Sequence, residues 1–440
     1  MEKYDPRALE VIEKLNNAGY EAYLVGGCVR DSLRGNVPKD WDVTTSALPG
    51  EVAAVFADRH VIETGLRHGT VTVVLDRLPV EVTTFRVDGD YADNRRPGSV
   101  AFVKNLREDL ARRDFTFNAL AWHPTAGLID IFGGAEDLKN GIVRAVGEPD
   151  KRLHEDGLRI VRALRFASAF AFKIEPGLSG SLRVNKNLLT NIAAERIGSE
   201  LTKILTGVGV FEILRDYADV FEVFIPEIRP MVGFEQRSPY HKYDVWLHTI
   251  HSVSEVPPDP VLRLAMLFHD AGKPEMFTVD EKGVGHFKGH VIRSEEIARH
   301  RLRALKYDND TRHAVIKLIK YHDARLTESN AIKLMHKLGK ADIYKLIEVQ
   351  IADVKAQADE HKEERLAVLD SVKFLVDRAI EEQKCFSLRD LAIGGSDLLA
   401  IGFEEGPRVG AALDALLEEV MEERIENERD ALLAEAAAYR

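Results

Sequence analysis

The stretch LVGGCVRDSLRGNVPKDWDV, Leu24 to Val43, decides how the first third of this chain is read. Gly26 and Gly27 follow a short strand signal, Tyr20–Val25, and open a helical segment. Without side chains they let backbone amides approach a polyphosphate. Arg30 comes within the next turn as a fixed cation. Asp40-Trp41-Asp42 then starts a second strand, where alternate residues face the same way. Both carboxylates therefore project to one side, an arrangement that suits two magnesium ions at a phosphoryl-transfer centre. Taken singly these features are commonplace, since Gly-Gly is usually a turn and Asp-x-Asp usually a solvated strand edge. Their order and spacing in one stretch carry the weight.

Working outward, the N-terminal MEKYDPRALEVIEKLNNAGY has the spacing of an amphipathic helix. Leu66–Phe85 holds β-branched runs broken at Asp76–Pro79, the pattern of a hairpin, with Glu81 on its second strand. Val87–Ser99 is too polar for a core and reads as a mobile loop. From about residue 150 the periodicity turns helical and stays so, apart from a short hairpin signal at Glu275–Phe287. The expectation is an α+β fold, a head with a small mixed or antiparallel sheet followed by all-α domains.

Composition limits the function classes. The 440 residues are 45% hydrophobic and 30% charged, with two distant cysteines, Cys28 and Cys385, in no metal-like spacing. No apolar run reaches membrane-spanning length and no signal peptide is evident, so a reducing cytoplasm and no membrane partner are expected. The net charge of −12 argues against a general nucleic-acid coat. Residues 150–205 nevertheless carry ten Lys or Arg against six acids, a local strip suited to limited nucleic-acid contact. Residues 401–440 hold eleven acids against four arginines.

Two further stretches extend the first. Arg112-Arg113-Asp114-Phe115-Thr116-Phe117-Asn118 offers paired cations, with Asp114 and Asn118 suited to bracing a turn. In Glu155-Asp156-Gly157-Leu158-Arg159-Ile160-Val161-Arg162-Ala163-Leu164-Arg165, the residues Asp156, Arg159 and Arg162 recur at helical spacing as one polar stripe. By itself this is a surface helix with an Asp–Arg ion pair. Together the three stretches resemble the signature motifs of class II tRNA nucleotidyltransferases, the family of CCA-adding enzymes and bacterial poly(A) polymerases. The resemblance implies a polymerase-β-like head in which Asp40 and Asp42, with Glu81 as third carboxylate, hold two Mg2+ ions. It implies nucleotide contacts from Gly26, Gly27, Arg30, Arg113, Arg162 and Arg165, and base selection by Asp156 and Arg159. Donor and acceptor order supports that selection. Cytosine and adenine both present an exocyclic amine beside a ring-nitrogen acceptor, so a carboxylate next to a guanidinium accepts them and rejects G and U. Mis-paired buried groups cost roughly 1–3 kcal/mol each.

The resemblance also implies addition of C, C and A to the 3′ end of tRNA from CTP and ATP, with no DNA partner. Asp88–Pro97 resembles the loop that lets the pocket switch to ATP, and Thr64–Thr70 resembles the CCA-type strand entry. A-only addition remains as an alternative, because such enzymes keep the loop.

From Tyr243 the histidines become dense. His248, His269-Asp270 and Asp353 stand in the order of the HD superfamily of metal-dependent phosphohydrolases, with His290 and His322 as second-site ligands or phosphate binders. Such a set suits Mn, Ni or Zn as well as Mg. His251, His300 and His313 read instead as core histidines. An HD phosphohydrolase with a nucleotide-binding head is the competing function, and a non-catalytic tRNA-binding module a third. The implied domains are a head (1–145), a helical neck (146–235), an HD domain (236–375) and a helical tail (376–440) that positions tRNA.

Overall fold

The computed structural model describes residues 4–66, 69–88, 100–358, 360, 362–382, 388–421 and 424–439. They fall into two compact units, Met1–Arg229 with Ala304–Tyr307, and Pro230–Arg303 with Asp308–Arg440.

The first unit opens with α1 (Pro6–Asn17), β1 (Ala22–Val25), α2 (Gly27–Leu33), β2 (Trp41–Thr45) and α3 (Pro49–Val55). It continues through β3 (His60–Ile62), β4 (Thr70–Leu75), β5 (Leu78–Thr84), β6 (Arg86–Asp88), β7 (Val100–Phe102), α4 (Leu106–Ala111), β8 (Leu120–His123) and β9 (Gly127–Asp130). Helix α1 starts where the chemistry places it. The Asp5 side chain accepts the Arg7 amide at 2.9 Å, Pro6 occupies the first helical position, and Ala8, Val11, Ile12 and Leu15 are buried. The sheet order is β3-β4-β5-β2-β1-β8-β9. All pairs are antiparallel except β2 and β5, which run parallel with Asp42 opposite Glu81. The β4–β5 turn places Asp76 (φ 46°) and Arg77 (φ 67°) in the left-handed region, which matches strand twist in a two-residue hairpin. One face of the sheet packs on α1 and α3 through Ile12, Leu15, Val43, Phe56 and Val73. Val25, Phe85, Leu110 and Ala121 form a second cluster.

After α5 (Gly134–Asn140) and β10 (Ile142–Val143) the unit becomes helical, with α6 (Pro149–Glu155), α7 (Leu158–Phe170), β11 (Lys173–Ile174), α8 (Pro176–Val184), α9 (Ala194–Leu205), α10 (Val210–Asp216) and α11 (Ala218–Phe221). The expected single polar stripe across Asp156–Arg162 needs correction. Asp156 ends α6 in an extended conformation (φ −141°, ψ 106°), and α7 begins only at Leu158.

The second unit runs through α12 (Val245–Glu255), α13 (Pro260–Phe268), β12 (Thr278–Val279), β13 (Gly285–His286), α14 (His290–Ala304), α15 (Asn309–Tyr321), α16 (Glu328–Leu338), α17 (Lys340–Lys355), α18 (Lys362–Glu381), α19 (Gly395–Ala400), α20 (Pro407–Met421) and α21 (Arg429–Ala436). Strands β12 and β13 are the hairpin expected at 275–287. The last three helices share a core of their own around Leu398, Leu416, Leu417 and Leu432. His300 and His313 are exposed rather than core residues, and His251 is half-buried against the Tyr243 ring, 4.3 Å between centroids. The segment expected to be a mobile loop lies outside the described residues from 89 to 99, as do Arg67, His68 and Cys385.

Candidate active site

The first unit contains a cavity of about 450 Å³ lined by Gly26, Gly27, Arg30, Asp42, Arg113, Asp156, Arg159, Arg162 and Arg165. Asp40 and Glu81 do not line it but stand beside Asp42. Asp40 is exposed just ahead of β2, and Glu81 is exposed at the β5 position paired with Asp42, while Trp41 between the two aspartates is buried. Burial raises the Asp42 pKa most, Arg113 pulls it down, and Glu81 and Asp40 add repulsion, leaving it at about 6.

The backbone at Gly26 requires glycine, and the Arg113 side chain packs close against it. The Gly26 φ of 75° and ψ of −127° belong to a region open essentially to glycine, and a Cβ there would lie 2.9 Å from the Arg113 guanidinium. Arg30 is fixed rather than loose. It donates to Asn118 Oδ1 at 2.7 Å and to both Asp31 oxygens at 2.8 and 2.9 Å, and it lies over the Phe166 ring at 5.2 Å. Asp114 accepts from the Phe115 amide (2.8 Å), from Asn118 Nδ2 (2.9 Å) and from Arg162 Nε (2.8 Å), so it braces the turn and holds Arg162 at once. Burial would neutralise Asp114, but Arg162 and Asn118 keep it well below the usual carboxylate range. Arg165 pairs with Glu200 at 2.6 Å and stacks on Phe166 at 3.7 Å.

Asp156 and Arg159 do not form the ion pair that their spacing suggests. Asp156 accepts from the Leu158 amide at 3.0 Å and from Arg196 at 3.2 Å. Arg159 donates to Glu155 at 2.7 Å and to the carbonyls of Arg152 (3.0 Å) and Arg112 (2.8 Å). Three of its five N–H groups are thereby engaged, leaving Nε–H and one Nη2–H. Sequence reasoning missed Arg196 and Phe166 as cavity residues, and treated Arg112 only as part of its motif. Arg196 lies 40 residues from Asp156, and no local pattern marks it.

In the second unit all six histidine and aspartate candidates converge. His248, His269 and Asp353 form one potential metal triad, and Asp270, His290 and His322 a second, each with its ligand atoms within 4.8 Å of one another. Asp270 joins them. Its Oδ2 is 3.2 Å from His269 Nε2 and 3.4 Å from His248 Nε2, and its Oδ1 is 3.5 Å from His290 Nε2 and 3.8 Å from His322 Nε2. The other ring nitrogen of each imidazole faces a backbone carbonyl. His269 reaches Met266 at 2.7 Å, His290 reaches Phe287 at 2.9 Å, His322 reaches Ile319 at 2.6 Å, and His248 reaches Ala356 at 3.3 Å. A proton on Nδ1 satisfies each carbonyl and turns the Nε2 lone pair toward the centre, the tautomer a metal requires. Burial opposes charging His269, yet Asp270 and Asp353 push its pKa up to about 10. Lys273, which sequence reasoning also missed, lies 2.7 Å from Asp270.

Comparison with known proteins finds matches along most of the chain. A model described as the Poly A polymerase head domain matches residues 22–144. A model for a probable RNA and SrmB-binding site of polymerase A matches 171–231, and a tRNA nucleotidyltransferase domain 2 model matches 289–436. The CCA-adding enzyme of Lactobacillus helveticus is 50% identical over 203 residues, a match spanning 46% of this chain and about half, 50%, of that relative. The CCA-adding enzyme of Lacticaseibacillus paracasei is 31% identical over 426 residues, 97% of this chain and 94% of its own. Among solved structures, the Bacillus stearothermophilus CCA-adding enzyme in complex with CTP superposes with a TM-score of 0.75 at 30% identity, covering 99% of this chain and 98% of that one. An alignment running nearly end to end at 31% identity settles the kinship, and this chain belongs to the CCA-adding enzyme family.

Proposed function

We propose that this protein builds or repairs the CCA end of tRNA, adding C, C and A from CTP and ATP without a nucleic-acid template. The observation that carries the reading is one cavity shared by Asp42 of the carboxylate cluster, by all six of the implied phosphate-binding arginines and glycines, and by Asp156 and Arg159. Asp40, Asp42 and Glu81 offer only oxygen acceptors when ionised, and their mutual repulsion is the kind that a hard divalent cation relieves. They fit two Mg2+ ions, which when bound supply charge neutralisation on the triphosphate and activate the attacking hydroxyl. The Gly26 and Gly27 backbone, Arg30, Arg113, Arg162 and Arg165 would hold the triphosphate. Asp156 keeps lone pairs for the exocyclic amine of C or A, and Arg159 keeps two donors for the neighbouring ring nitrogen. Residues 1–145 act as head, 146–235 as neck and base reader, 236–375 as metal domain and 376–440 as tail.

The deciding experiment offers transcripts ending before CCA, after C and after CC to each labelled nucleotide. Successive uptake of C, C and A is expected, and Asp40→Ala or Asp42→Ala should abolish it without loss of fold. Uptake of ATP alone would establish the A-only alternative, and near wild-type CTP incorporation by either variant would refute the carboxylate assignment.

The converging imidazoles favour a second reading alongside the first. His248, His269, Asp270 and Asp353, with His290 and His322, would hold divalent metal of the Mn, Ni or Zn type, which when bound activates water against a phosphoester. A 2′,3′-cyclic or terminal phosphate is the substrate to try.

A further inference from the structure

We infer that a basic groove formed by α14, α15 and α16 binds the phosphate backbone of RNA; the inference rests on the reading of tRNA as substrate. The groove encloses about 340 Å³ and is lined by Arg299, His313, Lys317, Lys320, Tyr321 and Lys337, with Glu295 as its acidic residue. His313, Ile316, Lys317 and Lys320 follow the i, i+3, i+4, i+7 spacing of one helical face, so α15 presents a continuous strip to it. Ile316 and Leu338 are buried beneath the strip, which anchors its floor.

The charges are left uncompensated. Lys317 pairs with Asp342 at 2.7 Å, but Arg299, Lys320 and Lys337 have no ion-pair partner among the described residues. Lys320 and Lys337 instead lie over the Tyr321 ring, at 5.9 and 5.5 Å from its centroid. In a chain of net charge −12, residues 290–345 carry thirteen Lys or Arg against seven acids. The expected tRNA-binding tail has the opposite sign, eleven acids to four arginines over 401–440, and would repel a phosphate backbone. Exposed cations on long side chains along an open groove suit a row of phosphates, whereas a single small anion is held by buried, converging donors.

Fluorescence anisotropy of a tRNA transcript lacking CCA, titrated across a series of KCl concentrations, tests the groove. The variants are Lys320→Glu with Lys337→Glu, and the neutral Lys320→Gln with Lys337→Gln, both at exposed positions. The charge-reversed protein should bind tRNA about tenfold or more weakly, with the slope of log Kd against log salt reduced by about 1 to 2. The neutral pair should show a smaller loss in the same direction. CTP affinity, and the rate of CTP addition at saturating tRNA, should stay at wild-type values. Unchanged tRNA affinity and slope in both variants would overturn the inference, as would wild-type binding of inorganic phosphate that both variants lose without any loss of tRNA affinity. A protein that shows the groove-dependent slope but never adds CTP would refute the reading of the head and leave the groove standing.

Discussion

Burial first, and then the charges of Glu81 and Asp40, push the Asp42 carboxyl up to about 6 against the pull of Arg113. The folded metal-free protein therefore prefers Asp42 protonated. The contribution is fully present below the unfolded value near 3.8 and is lost as pH rises through 6. At about 1.4 kcal/mol per pKa unit, the ionised carboxylate costs up to about 3 kcal/mol above neutral pH, less what solvent screening removes. Asp42→Asn should thus raise the thermal stability of the chelated protein at pH 8, with a gain that shrinks toward pH 5. Melting curves at the two pH values check this, and a gain independent of pH would show that the carboxyl is not perturbed. Asp114 behaves in the opposite sense. It is buried but held ionised by Arg162, so its contribution is present at neutral pH and is lost only in strong acid. Two aspartates in one cavity thus differ in titration because one has a guanidinium as partner and the other has carboxylates as neighbours.

At the scale of elements, the break between α6 and α7 gives Asp156 its orientation. A continuous helix would have placed Asp156 one turn before Arg159 and paired the two side chains. In the extended conformation Asp156 caps α7 through the Leu158 amide and meets Arg196 of α9 instead. Each partner takes one lone pair, and the carboxylate keeps capacity for a nucleotide amine. Replacing Asp156 with Ala removes that acceptor and also relieves the repulsion that disfavours O4 of uracil. Discrimination between CTP and UTP should fall by about tenfold, since 1.4 kcal/mol is one decade. Competition between the two nucleotides on a tRNA lacking CCA measures the ratio. A slower enzyme with an unchanged ratio would mark Asp156 as a capping residue only. The motif itself was legible in the sequence. The helix break was not, because Gly157 has ordinary helical torsions (φ −58°, ψ −22°) and only the packing of Leu188 and Ile192 around it shows the constraint.

For the whole molecule, the division into two units places the carboxylate cavity in one and the histidine centre in the other. Two such units unfold as separate cooperative transitions unless coupled, and a ligand shifts only the unit that binds it. Calorimetry should resolve two transitions, one raised by CTP with Mg2+ and the other lowered when bound metal is stripped by a chelator. His269→Ala combined with Asp270→Ala should lose its metal by elemental analysis and abolish the chelator-sensitive shift alone. Metal content equal to wild type in that variant would refute the centre. No helix among the described residues is long and apolar enough to cross a membrane.

The sequence by itself determined the features that depend on neighbours within a turn or a strand. The Asp5-Pro6 start of α1, the β4–β5 hairpin, the glycine turn ahead of α2, and the outward set of Asp40 and Asp42 around buried Trp41 all follow from local periodicity and side-chain chemistry. The motif residues were legible for the same reason. Tertiary structure alone decided which distant groups meet. The parallel register of β2 and β5 sets Glu81 beside Asp42, α9 brings Arg196 to Asp156 across 40 residues, and α17 brings Asp353 to within 2.9 Å of His248 across 105. It also decided which histidines converge, exposing His300 and His313 while burying His290 and His322 against Asp270. The physical reason is that helix and strand periods fix only which face a side chain occupies. What that face meets depends on the closure of long loops and the packing of distant elements, whose free energy is shared among many contacts and written in no single stretch.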